Sequence, residues 1–384
     1  MKIVEVISDR NIGGAGRLLV ERLENSRGYG EDTVVLLPEG SRLRERVEAT
    51  GARVVEMRGC RDKSLDIFAI LSIRDILRRL APDVINTHGS MSARIAAYLC
   101  RVPVRIYTRH CAYPVPLPLR IFPIRSVLGA LNVALSPHAI AVADAAAENL
   151  VSMGYPRDRV RVIINGVGGL RRYSEEKRRT LRAAFGLEGH FVVGICARVE
   201  KCKDHETFLR AARLLSADDR YRFVVVGDGS RLSEMRALAR RLGIADRVIF
   251  AGFCEDVESW FNCFDLNVNC SIGTETSSLA LSEGMSIGLP AVASSFGGNP
   301  YMVKHGENGF IYKMRDAEEL SLMISEIANT PDLYDRMSEA AYRRFAFELN
   351  SKKMTAETMA LYRELYSEYV RGTSAKESSA ERER

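Results

Sequence analysis

The stretch FVVGICARVEKCKDHETFLRAARLL (191–215) decides the fold. It opens on an apolar run, 191–197, of the aromatic and β-branched kind that strands favour. A loop bearing Arg198, Lys201 and Lys203 follows, and then an amphipathic helix over 205–215. A strand that feeds a loop and then a helix is the unit from which parallel, doubly wound sheets are built. The unit recurs in both directions. Toward the C-terminus, YRFVVVG (221–227), RVIFAG (247–252), DLNVNC (265–270), PAVAS (290–294) and NGFIY (308–312) read as strands. Helices are expected near 231–242, 255–263, 276–287, 316–328, 332–346 and 351–371. Toward the N-terminus, the strands are KIVEVIS (2–8), DTVVLL (32–37), ARVVEM (52–57), DVINTH (83–88), VRIYTR (104–109), LNVALS (131–136) and RVRVII (159–164). Helices are expected after the loop 9–16, through 92–99 and, alanine-rich, over 138–152.

The pattern halts at GVGGLRRYSEE (166–176) and then restarts. Residues 1–165 and 177–350 are therefore expected to be two α/β domains, each with a doubly wound sheet, joined by the linker 166–176. The helix 351–371 is expected to join the first domain. The polar end, GTSAKESSAERER (372–384), has no apolar anchor and is expected to be disordered. Ligands of such sheets bind at the carboxyl ends of the strands, where loops enter helix N-termini. Two such domains facing each other would enclose a cleft.

Composition agrees with two domains. The 384 residues are too many for one ordinary domain of ~150–200 residues, and 46% of them are hydrophobic, enough for two cores. No apolar run approaches the ~20 residues that cross a bilayer. The start, Met1 to Ile7, lacks the apolar core and cleavage site of a signal peptide. A cytoplasmic protein is expected. Its cysteines, Cys60, Cys100, Cys111, Cys196, Cys202, Cys254, Cys263 and Cys270, form no C-x-x-C pair. Free thiols fit better than a disulfide framework or a zinc site.

The net charge of +6 is uneven. Residues 1–165 hold 24 basic and 17 acidic residues, a net +7, which leaves −1 for the rest. No acid occurs between Asp83 and Asp144, a window holding Arg94, Arg101, Arg105, Arg109, Arg120 and Arg125 with His88, His110 and His138. Arginines on solvated faces would give this pattern, as would a wall facing an anion or a contact with acidic lipid headgroups. No nucleic-acid-binding module is recognisable, and no nucleic acid partner is expected.

Four loops carry candidate chemistry. In the first, Asn11–Gly16, the paired Gly13 and Gly14 would let the backbone approach a phosphate at a helix N-terminus, or simply make a tight turn. The second, Cys196–Asp204, could bring Arg198 and Lys203 to a pyrophosphate, or be an exposed basic loop. The third, SIGTETSSLALSE (271–283), holds Glu275 and Glu283 eight positions apart, just over two turns if both lie on a helix. Paired carboxylates suit acid/base work; a carboxylate just before a helix can also be its N-cap. The backbone N–H groups of Ser277, Ser278 and Leu279 would have to be free to bind a phosphate. The fourth loop, Ser295–Pro300, is another glycine-rich turn from strand to helix.

Together these residues resemble retaining glycosyltransferase family 4, whose members have the two-domain GT-B fold of facing Rossmann-like domains. Arg198 and Lys203 match the family's R-x4-K pair, and Glu275 and Glu283 its E-x7-E motif. Gly288-Leu289-Pro290, Gly297-Gly298-Asn299-Pro300 and Gly306–Gly309 match its G-x-P, GG-x-P and G-x-x-G segments in order. In the first half, the Gly13-Gly14 loop, His88, His110 and Asn165-Gly166-Val167 are also similar, so the resemblance covers about 1–350. The departures are Tyr301 where a Glu is usual, Asp204 where a Gly is usual, and Gly168 where an Asp is usual.

The resemblance implies a role for each match. Arg198 and Lys203 would bind the donor diphosphate and stabilise it as it leaves, helped by the amides of Ser278 and Leu279. Glu275 would hold hydroxyls of the donor sugar, and Glu283 would accept hydrogen bonds from the ribose. His110 would stand near the transferred sugar. The implied reaction moves a sugar, with retention, from a nucleotide-diphosphate donor to a hydroxyl of a sugar or lipid-linked acceptor, in cell-surface polysaccharide or glycolipid synthesis. No D-x-D motif is present to hold a metal, and no cofactor or metal is expected. A nucleotide-sugar epimerase or phosphorylase of the same fold would bind the same donor without a separate acceptor, and a non-catalytic subunit would bind it without turnover. The stretch PVPLPLRIFPIRSVLGA (114–130), apolar with Arg120 and Arg125, is expected to touch an anionic membrane surface on its inner face, or else to be a core helix.

Overall fold

The computed structural model describes residues 1–58, 65–113 and 115–382, with side chains as far as Ser374. Cys60 and Pro114 lie outside the described residues. The chain forms two compact units, Met1–Gly166 with Ser351–Arg384, and Val167–Asn350. Each is an α/β domain on one parallel sheet.

The first unit has seven strands: β1 Lys2–Ile7, β2 Asp32–Pro38, β3 Arg53–Met57, β4 Val84–His88, β5 Val104–Arg109, β6 His138–Ala141 and β7 Val160–Val162. They lie in the order β3-β2-β1-β4-β5-β6-β7. The order reverses between β1 and β4, the switch point at which loops diverge and ligands bind. Both faces of β1 are covered. Val4 and Val6 pack with Ile70, Ile73, Ala93 and Ala96 of helices Ile67–Leu80 and Met91–Leu99. On the other face Ile7 packs with Leu19 and Leu23 of helix Gly14–Ser26.

The second unit has six strands: β8 Phe191–Cys196, β9 Tyr221–Val226, β10 Val248–Gly252, β11 Leu266–Asn269, β12 Ala291–Ser294 and β13 Gly309–Tyr312. Their order is β10-β9-β8-β11-β12-β13, with the switch point between β8 and β11. Val193, Ile195, Phe208, Phe223, Val268 and Ile324 are buried in one cluster beneath helices His205–Leu215 and Ala317–Asn329. Each such side chain contributes roughly 1.5–3 kcal/mol when fully buried.

The structure corrects three expectations. LNVALS (131–136) is not a strand; it ends the helix Ile124–Leu135. A short apolar run fits either period, and here Gly129 decides, because a Cβ at that position would meet Gly154 O at 2.2 Å. The helix thus packs backbone to backbone. The strand is His138–Ala141, and the alanine-rich helix follows only at Asp144–Ser152. At the C-terminus, residues 372–382 of the segment expected as a disordered tail (372–384) continue the helix Ser351–Arg382. Its alanines, glutamates, lysine and arginines are good helix formers, and no proline stops them.

Candidate functional site

The loops after β8 and β11 meet at the switch point of the second unit. After β8 the chain turns through a short 3-10 segment, Lys201–Lys203, before helix His205–Leu215. Arg198 is exposed on this loop. The loop is held from behind: Val199 N–H donates to Asp228 O at 2.9 Å, and Arg231 N–H donates to Val199 O at 3.0 Å. A Cβ on Gly227 would meet Ala197 O at 2.0 Å, so only glycine allows the approach. Asp204 closes the turn at φ +47°, in the left-handed region. That conformation explains why a glycine commonly stands there, and aspartate is one of the few other residues that tolerate it. Its carboxylate accepts from Thr207 Oγ1 at 2.6 Å.

Lys203 Nζ reaches Glu275 Oε2 at 2.5 Å across the switch point. The same carboxylate oxygen accepts from Ser271 Oγ at 2.8 Å and from Asn269 Nδ2 at 3.2 Å. Glu275 is 6% exposed. Burial alone would raise its pKa, but Lys203, Ser271 and Asn269 outweigh burial and hold it below the ordinary carboxylate range. It is a fixed, ionised acceptor. Two glycines make room for its backbone: a Cβ on Gly297 would meet Glu275 O at 1.9 Å, and one on Gly298 would meet Thr276 O at 1.7 Å.

The helix after this loop begins later than expected, at Leu279, with Ser278 as its N-cap. Glu275 is therefore in the loop, while Glu283 sits within the helix Leu279–Ser286, buried at 4% exposure. Neither an N-cap role for Glu275 nor two carboxylates on one helical face survives. The Ser278 hydroxyl accepts from Leu281 N–H at 3.4 Å. The Ser278 N–H, expected to be free, faces Met302 Sδ at 3.1 Å. A thioether is a weak acceptor. Tyr301 donates its hydroxyl to Glu348 Oε2 at 3.0 Å, and Arg344 lies 4.8 Å from its ring centroid. Among the described residues, no three His, Cys, Asp or Glu side chains cluster as a metal centre would.

The first unit holds a different construction. Gly13 caps helix Gly14–Ser26 in an extended conformation, and Asp9 Oδ1 accepts from Asn11 N–H at 2.8 Å inside the same loop. The two glycines thus belong to the other unit from Arg198, Lys203, Glu275, Ser278, Leu279 and Glu283. His88 ends β4, and His110 follows β5. His88 Nδ1 is 2.8 Å from His110 Nε2, and His88 Nε2 is 2.8 Å from Glu5 Oε2. The other oxygen of Glu5 accepts from Tyr362 Oη at 2.9 Å and lies 2.6 Å from Arg22 Nη2. Asn86 Nδ2 donates to Tyr362 Oη at 2.7 Å, and Thr108 Oγ1 donates to Asn86 Oδ1 at 2.8 Å. Glu5 is fully buried. Burial raises its pKa, but Arg22, His88 and Tyr362 bring it below the ordinary value. Burial, and then His88, push the His110 pKa down to about 3, so its ring is neutral. His88, His110, Thr108, Asn165, Met354 and Thr358 line a small recess.

The sequence named His88 and His110 but missed Glu5, Arg22, Asn86 and Tyr362. One signal was there: Glu5 is an acid inside the central apolar run KIVEVI. A charge in a strand buried on both faces is costly unless it is paired.

Comparison with known proteins supplies the family. Residues 177–344 match the model of glycosyl transferases group 1, and residues 12–168 match that of glycosyltransferase family 4. A D-inositol 3-phosphate glycosyltransferase of Streptomyces scabiei is 34% identical over 48% of this chain and 44% of its own length. The lipopolysaccharide core biosynthesis glycosyltransferase LpsE of Rhizobium meliloti is 24% identical over 89% of this chain and 94% of its own. The chain spans about half the length of several of the curated relatives it matches. Among solved structures, HepE of Anabaena, crystallised with UDP, superposes with a TM-score of 0.80 at 22% identity over 94% of this chain and 100% of that one. At that identity the likeness is one of fold, two parallel-sheet α/β domains of the GT-B class. With one family model matched in each half, the chain belongs to glycosyltransferase family 4.

Proposed function

We propose that the chain is a retaining glycosyltransferase that moves a sugar from a nucleotide-diphosphate donor to a hydroxyl acceptor, without a metal. The observation that carries this reading is the Lys203–Glu275 pair at the switch point of the second unit, with Arg198 on the same loop. Departure of a diphosphate develops negative charge. Two fixed cations and the N-terminal end of helix Leu279–Ser286 stabilise that charge without reorganising at the moment of reaction. The weak contact from Ser278 N–H to Met302 Sδ is readily exchanged for a phosphate oxygen. Glu275, held ionised, accepts hydrogen bonds from hydroxyls of the donor sugar, and Glu283 from the ribose. In this family the acceptor hydroxyl attacks on the face that the leaving group vacates, which gives retention. His110 of the first unit is assigned a place near the transferred sugar. The UDP complex of HepE supports a nucleotide-sugar donor.

An acceptor carried on an anionic lipid surface is part of the proposal. The segment after β5 supports it: Leu117, Ile121, Phe122, Val127 and Leu131 are 72, 53, 83, 65 and 52% exposed. Ile124, Val127 and Leu131 form a stripe along helix Ile124–Leu135, opposite the side that Gly129 seats on Gly154. Arg120 and Arg125 flank these side chains, also exposed. Apolar side chains edged by cations suit the headgroup layer. Among the described residues, no helix is long and apolar enough to cross a membrane.

A panel of nucleotide sugars, read first by thermal stabilisation and then by transfer and hydrolysis assays, tests the reading. It predicts at least one donor that stabilises the protein and gives up its sugar to an added acceptor. Stabilisation without turnover of any donor would favour a binding subunit, and turnover without an acceptor would favour an epimerase or phosphorylase.

A further inference from the structure

Asn269 is the last residue of β11, at the switch point of the second unit. Leu266 and Val268 of the same strand enter the apolar cluster, and strand alternation turns Asn269 to the other face. It is buried, at 8% exposure. A buried amide is costly unless its atoms are bonded, and this one uses both N–H donors and both lone pairs.

Its orientation follows from the chemistry of its partners. The N–H of Ser271 can only donate, so the atom 2.9 Å from it is Oδ1. The NH2 group of Asn269 therefore faces Glu275 Oε2 at 3.2 Å and Ser278 Oγ at 2.9 Å. One planar group thus touches the loop after β11 at its start, at Glu275 and at the N-cap of helix Leu279–Ser286. The loop does not hold itself: Thr274 stands at φ +58°, a conformation that is costly for a β-branched residue. Asn269 is held in turn by the glycine-rich loop Ser295–Pro300. Asn299 is fully buried there, and its Nδ2 donates to Asn269 Oδ1 at 3.4 Å and to Ser294 Oγ at 3.1 Å.

We propose that Asn269, braced by Asn299, is a positioning residue that sets the spacing between Glu275 and the Ser278 end of the helix. The inference rests on the reading given above, in which Glu275 holds the donor sugar and the helix end meets the diphosphate. The bond that breaks lies between those two parts of the donor, so both contacts must be in place at once. A misplacement of ~1 Å costs up to ~10²-fold in rate. The proposal also gives the fourth loop, whose glycines make room for the backbone of Glu275 and Thr276, a part in the same site.

Asn269→Asp separates positioning from packing. It keeps the size of the side chain and leaves Oδ1 on the N–H of Ser271, but turns an oxygen toward Glu275 in place of the NH2 group. Two carboxylates that close do not both stay ionised without cost. The charged groups at this point are Glu275 and Lys203, whose Nζ also donates to Ser271 Oγ at 3.3 Å; Ser271, Ser278 and Asn299 are neutral. Below its pKa the new carboxyl carries a proton and donates as the amide did, so the defect should shrink as pH falls.

The test combines hydrogen–deuterium exchange of the full chain, without substrate, with sugar transfer. At pH 8 the amides of 271–281 should exchange roughly tenfold faster in Asn269→Asp than in the wild type, as for the loss of a buried hydrogen bond, with strands β8 and β9 unchanged. Turnover at pH 8 should fall by about 10²-fold, and the ratio of variant to wild type should rise as pH is lowered to 5. Wild-type exchange over 271–281 in a folded variant overturns the proposal, as does a loss of turnover that low pH does not relieve, since packing would then be all that Asn269 supplies. If Asn269→Asp does not fold, Asn299→Ser decides: exchange over 271–281 should rise a few-fold, and unchanged exchange there overturns the proposal. Exchange is read without turnover, so a protein that transfers no sugar would defeat the functional reading and leave this result standing.

Discussion

The two units solve the same problem, holding a charge where a parallel sheet reverses its order, from opposite ends of the strand. In the second unit the charges hang from loops. Lys203 and Glu275 are 72 positions apart in sequence, yet each follows the carboxyl end of a central strand, and they pair directly. In the first unit the charge sits in mid-strand, at Glu5, and close contacts run outward from it through two imidazoles. Its supports come from a helix 357 positions away, through Tyr362. Lys203 stands on a loop at the strand edge, held by Glu275. Glu5 is fully buried and held by Arg22, Tyr362 and His88. On the proposed reading, the second unit is the one that compensates developing charge.

The sharpest way to break this comparison is to remove the loop cations. Arg198→Ala and Lys203→Ala should each lower turnover by about 10²–10³, the worth of one preorganised donor to a developing anion, while circular dichroism shows the fold intact. Lys203→Ala has a second expected effect: Glu275 loses its main counter-charge, and its pKa should rise toward the ordinary carboxylate value. Turnover near that of the wild type in either variant would remove the phosphate assignment and leave the second unit without its task.

A smaller effect separates the two carboxylates. Glu283→Gln should weaken binding of the bare nucleoside diphosphate, and Glu275→Gln should leave that binding within a few-fold while sugar transfer falls. Titration calorimetry with the diphosphate measures both. Equal losses of affinity would show that the roles are not divided between loop and helix as described.

How much of this was legible before folding follows the same division. The Arg198, Lys203 and Glu275 loops stood out because polar residues at strand-to-helix turns break an apolar period at fixed spacings. Asp204 could be singled out as a departure, though its reason, a left-handed backbone, emerged only in three dimensions. Glu5 was read as part of a strand, since a single acid in an apolar run carries no information about its partners. LNVALS was misread because six mostly apolar residues fit a strand or a helix equally, and the deciding contact, Gly129 on Gly154, is not local. The start of the helix at Leu279 was misjudged because Thr276, Ser277 and Ser278 all make acceptable caps.

The least effect is expected on the surface of the first unit. Phe122→Ser should reduce sedimentation with anionic liposomes at low salt, and Arg120→Ala and Arg125→Ala should each weaken it roughly fivefold, for ~1 kcal/mol per cation. High salt should abolish most of the charge-dependent part. A wild-type protein that stays in the supernatant with anionic liposomes at low salt would end the membrane reading and favour a soluble acceptor.

The central claim is that fixed cations of the second unit, and no metal, meet the charge of the departing diphosphate. It is tested most directly by single-turnover sugar transfer in excess EDTA, with the donor that the nucleotide-sugar panel identifies. The account predicts a rate within a few-fold of that without chelator, and no gain on adding Mg²⁺ or Mn²⁺. Loss of transfer in EDTA, restored by either ion, would contradict it.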